Sequence, residues 1–152
     1  MHAPVFHAEL QSRIAEFGPL AHALQTWLAE AGVPAPAIRD ATLILDELFT
    51  NIVMHGYQGR TDGWVQVQAQ VQGASLTLIV RDRARAFDPR SAPWPDASSP
   101  LEARPMGGLG LMFVQRLADE LSYRRLPADA PATEGGEVNE LRITRHFANP
   151  AI

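Results

Sequence analysis

The alternation of apolar and polar positions divides the chain into recognisable elements. Residues 64–71, Trp-Val-Gln-Val-Gln-Ala-Gln-Val, alternate with a period of two, and residues 75–82, Ser-Leu-Thr-Leu-Ile-Val-Arg-Asp, form a second strand-like run. Gln72-Gly73-Ala74 between them reads as a turn, so the pair predicts a β-hairpin. Upstream, Ile14, Phe17, Leu20, Leu24, Trp27 and Leu28 recur at helical spacing. Ser12 is the expected N-cap of that helix, Gly18-Pro19 a point where it kinks or restarts, and Gly32 with Pro34 its stop. A short strand is expected over 5–10 and a second helix over 36–55, opened by Pro36 and ended by Gly56. Residues 111–121 predict a third helix, 122–126 a strand and 139–147 a last strand. The order β-α-α-β-β-α-β-β predicts an α+β fold, a two-layer sandwich with helices on one face of a mixed, largely antiparallel sheet.

One helix departs from the ordinary amphipathic pattern. Glu47, Asn51 and His55 lie at i, i+4 and i+8 and form one polar row. At about 100° per residue, Leu43 and Met54 flank the row on one side and Ile44 and Leu48 on the other. The acid and amide are therefore expected within or beside buried surface. A carboxylate there can serve as a general base, and an Asn carbonyl oxygen can hold Mg2+. A narrow polar strip at the protein edge is the other reading of the same row.

Composition narrows the chemistry. With 152 residues, 46% hydrophobic and 20% charged, the chain suits one globular domain over 1–152. It contains no Cys, which excludes disulfides, thiolate nucleophiles and Cys-ligated metals. It contains no Lys either, which excludes a Walker-A phosphate loop and Schiff-base chemistry. The net charge of −4 argues against direct nucleic-acid binding. No apolar run reaches the roughly 18–20 residues of a membrane span, and the N-terminus lacks a signal-peptide pattern, so a cytoplasmic protein away from membranes is expected. His2, His7, His22 and His146 are scattered without metal-ligand spacing.

Three further features carry chemistry. Asp82 ends an apolar strand. The segment 83–106 holds Pro89, Pro93, Pro95, Pro100 and Pro105, and a loop of that length is expected to be a functional lid or disordered. Gly107-Gly108-Leu109-Gly110 then opens the third helix, where glycine backbone and free N–H groups can hold phosphate without a lysine, or simply form a flexible turn.

Taken in order, these motifs resemble the ATP-binding domain of the gyrase, chaperone, histidine-kinase and mismatch-repair superfamily, the Bergerat fold. Within it the sequence is most similar to the stand-alone serine kinases that act as bacterial anti-sigma factors. The run from Glu47 to Tyr57 resembles the N-box, Glu-x3-Asn-x3-His-Gly-Tyr. Asp82 to Pro89 resembles the first glycine box, and Gly107 to Leu111 with the helix after it resembles the second. The resemblance implies Glu47 as general base, Asn51 as ligand of Mg2+, and Asp82 as acceptor from the adenine amino group. It implies backbone contacts to nucleotide at Ala84, Gly107, Gly108, Leu109, Gly110 and Leu111, a place near adenine for Asn139, and an ATP lid at about 83–106. With no Lys in the chain, the lid arginines are the candidates for the γ-phosphate, and Arg104, just before the glycines, is the one expected to reach it. Two positions depart from the family pattern. Ala84 stands where the family has glycine and Ala86 where it has proline. The added Cβ of Ala84 is expected to crowd the base or to strain a positive-φ backbone.

The implied function is an ATP-dependent protein-serine kinase and anti-sigma factor. It would phosphorylate a STAS-domain anti-anti-sigma partner, bind a sigma factor, and form a homodimer as relatives do. The alternative from Ala84 is a non-catalytic or weakly nucleotide-binding module that sequesters a regulatory protein. A third reading, the catalytic domain of a sensor histidine kinase, lacks the phosphoacceptor hairpin in this sequence.

Overall fold

The computed structural model describes residues 4–88, 108–128 and 136–148. The element order is β1 (Val5–Gln11), a short 3-10 turn (Ile14–Glu16), α1 (Phe17–Glu30), α2 (Ala35–Asn51), a π-helical turn (Ile52–Gly56), β2 (Trp64–Gln72), β3 (Ser75–Asp82), α3 (Gly108–Leu117), β4 (Glu120–Leu126) and β5 (Val138–His146). Five strands form one sheet in the order β1-β2-β3-β5-β4. Every pairing among them is antiparallel, so the expected mixed sheet is wholly antiparallel over the described residues.

Period-two burial sets the two faces of the sheet. Val65, Val67 and Ala69 of β2, Leu76, Leu78 and Val80 of β3, and Leu141 and Ile143 of β5 turn towards the helices and are buried. Leu20, Leu24 and Leu28 of α1 and Ala41, Ile44, Leu45, Leu48 and Phe49 of α2 meet them in a single core. Phe17 and Phe49 stack with ring centroids 6.1 Å apart.

Three sequence expectations change and one is met. Helix α1 does not take Ser12 as its cap; a 3-10 turn over Ile14–Glu16 precedes it and the α-helix begins afresh at Phe17, at the expected restart, with Gly18-Pro19 in its first turn, where proline's missing N–H costs nothing. The Ser12 side chain instead reaches across the fold, donating to the Arg60 carbonyl and accepting from the Gly63 N–H at 2.9 Å. Helix α3 stops at Leu117, not 121, and β4 starts at Glu120. Pairing decides that boundary: the Asp119 N–H donates to the Thr144 carbonyl at 2.8 Å, and the Asp119 carboxylate accepts from the His146 N–H at 2.6 Å. Leu43 and Met54, expected to flank the polar row with buried surface, are 39% and 45% exposed, so only the Ile44 and Leu48 side of the row is core.

Candidate nucleotide site

The cross-strand register builds the site. On the helix-facing side of the sheet, Asp82 of β3 lies opposite Asn139 of β5, and Asn139 lies opposite Arg125 of β4. Asp82 and Asn139 are each 3% exposed. The Asn139 Nδ2 donates to Asp82 Oδ1 at 2.9 Å, and the Ala84 N–H donates to the same oxygen at 2.9 Å. Burial pushes the Asp82 carboxyl above the usual range, and the hydrogen bonds from Asn139 and Ala84 with the nearby Arg125 charge only partly oppose it.

Above this row lies a cleft bounded by Leu48, Asn51, Ile52, Asp82, Ala84 and Asn139 among others, with buried polar groups at its floor and apolar walls. Asn51, the last residue of α2, is 8% exposed, and its Nδ2 is buried with no hydrogen-bond partner. An orphaned buried amide is costly unless a ligand satisfies it. Turned about its final torsion, the same amide offers a carbonyl oxygen, the donor type a hard cation takes. No group of three His, Cys, Asp or Glu among the described residues forms a metal cage.

Glu47, one α-helical turn before Asn51, is partly exposed at the surface of α2. Burial, with the charge of Asp46 adding to it, raises its carboxyl above the ordinary value. His55 does not continue the row by α-helical spacing. The turn Ile52–Gly56 is π-helical, with the Tyr57 N–H donating to the Ile52 carbonyl at 2.8 Å, and this underwinds the chain after Asn51.

Ala84 is 5% exposed, and its environment corrects one expectation. Among the described residues the sole non-glycine with positive φ is Gln58, at 55°, so the Ala84 backbone carries no left-handed strain. Its methyl has a matching absence opposite. A Cβ added to Gly56 would meet the Ala84 Cβ at 2.9 Å, closer than side chains normally approach. Gly56 thus makes room for the methyl that replaces the family's glycine.

Several residues support the site through partners that the sequence did not signal. The Tyr57 hydroxyl donates to the Trp64 carbonyl at 2.6 Å and accepts from the Arg83 N–H at 2.7 Å, tying the turn after α2 to both β2 and the end of β3. Its burial raises the phenol to about 12. The Arg83 guanidinium lies 4.2 Å from the centroid of the Trp64 ring. Tyr123 and Arg125 hold Asn139 from β4. Only the cross-strand register reveals these partners. Gly108, Leu109, Gly110 and Leu111 form the first turn of α3, so their backbone lies at a helix N-terminus. Arg104, Gly107 and the part of the expected lid from residue 89 to 106 lie outside the described residues.

The profile of the histidine kinase-like ATPase domain matches residues 10–143, nearly the whole chain. The chain belongs to the histidine kinase-like ATPase domain family. Among curated members, the serine-protein kinase RsbW of Listeria monocytogenes is 30% identical over 98 residues, covering 61% of this chain and 62% of that protein. RsbW of Bacillus pumilus is 34% identical over 94 residues, covering 57% of each. The anti-sigma F factor of Clostridium beijerinckii is 27% identical over 66 residues, covering 43% of this chain and 46% of that protein. The chain thus spans less than two thirds of the length of these relatives. The crystal structure of the RsbU and RsbW domains of Rv1364c from Mycobacterium tuberculosis superposes with a TM-score of 0.64 at 21% identity, covering 97% of this chain and 33% of that one, a likeness of fold. A histidine kinase-like ATPase domain is also what the α+β architecture of the described elements fits.

Proposed function

We propose that this chain is an ATP-dependent protein-serine kinase that also acts as an anti-sigma factor in the cytoplasm. The observation that carries the reading is the convergence on one cleft of a buried acid, Asp82, and a buried amide without a partner, Asn51. The relatives named serine-protein kinase and anti-sigma factor support the class.

In this reading Asp82 accepts from the exocyclic amino group of adenine, and Asn51 holds Mg2+ through its carbonyl oxygen. The ion supplies neutralisation of the phosphate charge. Backbone N–H groups of Gly108, Leu109, Gly110 and Leu111 point at the phosphates from the start of α3, with Gly107 and Arg104 completing the cradle. Glu47 takes the proton from a serine hydroxyl as that oxygen bonds to the γ-phosphorus; the bond to the bridging oxygen breaks and ADP departs. The raised Glu47 carboxyl suits a base poised nearer neutrality. Phosphoryl transfer of this kind rests on positioning and charge more than on covalent chemistry.

The substrate is a STAS-type anti-anti-sigma protein. Its phosphorylation adds about −2 charge, enough to break a complex and free this chain to take a sigma factor. A homodimer is the assembly we expect. The test is incubation with ATP-Mg2+ and STAS proteins of the same genome. Phosphoserine on one of them, reduced about 100-fold or more by Glu47→Ala, is the expected result. Absence of ATP binding, unrestored by Ala84→Gly, would overturn the kinase reading in favour of a sequestering module.

A further inference from the structure

Asn139 resembles a residue placed near adenine, yet its hydrogen-bonding capacity is already spent. A primary amide offers two N–H donors and two acceptor lone pairs. The two Nδ2 protons are shared among Asp82 Oδ1 at 2.9 Å, the Arg85 carbonyl at 3.0 Å and the Ala84 carbonyl at 3.1 Å. Oδ1 accepts from the Tyr123 hydroxyl at 2.6 Å and from Arg125 Nη1 at 2.8 Å. Arg125 Nη1 also reaches the Ala84 carbonyl at 3.2 Å, while its Nε is held by the Glu137 carboxylate at 2.9 Å. No donor or lone pair of Asn139 is left over for a ligand.

The same bonds fix what a ligand would meet. Asp82 Oδ1 is occupied by Ala84 and Asn139, which sets the rotation of the carboxylate and so the direction in which Oδ2 accepts. Ala84 is held at both ends, its N–H by Asp82 and its carbonyl by Asn139 and Arg125, so it offers the cleft only its methyl. The clamp therefore reaches the cleft from β4 and β5 through Asp82 and through the backbone at 84–85.

We infer that Asn139, oriented by Tyr123 and Arg125, is a positioning residue that sets base selection through Asp82 without touching the base. The inference rests on the nucleotide reading given above. Calorimetric titration of the full chain with ATP and with inosine triphosphate tests it, because inosine carries a carbonyl oxygen where adenine carries the amino group. The wild-type chain should prefer ATP. Asn139→Leu should weaken ATP about tenfold or more while leaving the inosine nucleotide nearly unchanged. Tyr123→Phe, a milder change that preserves the ring, should reduce the same preference about threefold. In the ligand-free chain, amide exchange at Ala84 should quicken in both variants.

Equal loss of both nucleotides in Tyr123→Phe would overturn the inference, since a general structural role does not discriminate between bases. So would a full effect of Asn139→Leu with none from Tyr123→Phe and unchanged exchange at Ala84, the signature of direct contact. If Asn139→Leu fails to fold, Tyr123→Phe decides alone. A wild-type chain that binds neither nucleotide overturns the nucleotide reading and this inference together; one that binds both alike overturns this inference alone. An intact wild-type preference with a failed variant pattern overturns this inference alone.

Discussion

Asp82 keeps an acid in a place where desolvation outweighs the hydrogen bonds that support its charge, so its carboxyl titrates above the usual range. The sign for stability follows from linkage. A carboxyl raised on folding contributes stability that is fully present below its unfolded value and lost as pH rises through its folded value. At neutral pH Asp82 therefore costs the free chain stability. Asp82→Asn keeps an oxygen to accept from Ala84 and Asn139 and removes the charge. It should raise the unfolding temperature at about pH 7 and weaken ATP at least tenfold, as thermal melts and titration would register. The gain in stability should shrink as pH falls below about 4. A gain over wild type that stays the same or grows as pH falls would contradict the burial argument. An acid retained at a cost to stability is the usual mark of a residue kept for binding.

At the scale of elements, the turn after α2 and the segment that follows β3 fit together as a pair. The methyl of Ala84 fills the space above Gly56, where a second Cβ would sit 2.9 Å away. Gly56→Ala should therefore destabilise the chain by about 1–3 kcal/mol, and adding Ala84→Gly should recover most of the loss. Denaturant midpoints of the two single variants and the double variant measure that coupling; simple additivity would contradict the contact. Much of this arrangement was legible beforehand, for physical reasons. The β2–β3 hairpin announces itself because alternation with period two needs no tertiary context, and Asp82 stands out as an acid closing an apolar strand. The π-helical turn does not, because Ile-Val-Met-His continues an α-helical pattern until packing underwinds it. The end of α3 was misplaced because Ala118 and Leu121 extend the helical spacing, whereas strand pairing of Asp119 with Thr144 and His146 prevails. Ser12 has the composition of an N-cap but serves a turn 48 residues away, a contact no local window contains. The partners of Asn139 were invisible for the same reason.

Across the whole molecule, the open face of the sheet carries one polar row spanning all five strands. Glu9, Gln66, Arg81, Glu140 and Arg124 lie side by side in register. Gln66 donates to Glu9 at 3.4 Å, Arg81 to Gln66 at 2.8 Å, and Glu140 accepts from Arg81 at 2.8 Å and Arg124 at 2.6 Å. Burial pushes the Glu140 carboxyl up, but the hydrogen bonds and charges of Arg124 and Arg81 outweigh it and hold it below its ordinary value. Its contribution to stability is thus present above the unfolded carboxyl value and lost as pH falls through the folded one, opposite in sign to that of Asp82. Glu140→Gln should cost about 1–3 kcal/mol at neutral pH, because it removes the charge that opposes Arg81 and Arg124 while keeping an acceptor oxygen. Unfolding curves collected from about pH 7 down to about pH 2 should show the variant and wild type converging in acid. On the opposite face, Asp82 and Asn139 meet across the sheet although 57 residues separate them in the chain. Closing that loop carries an entropic cost that grows only slowly with its length. The order of synthesis is less forgiving. A nascent chain that has just released β3 holds the acid without its clamp, and the cleft takes shape only once the last strand has emerged and docked. Any truncation before β5 removes the site as a whole.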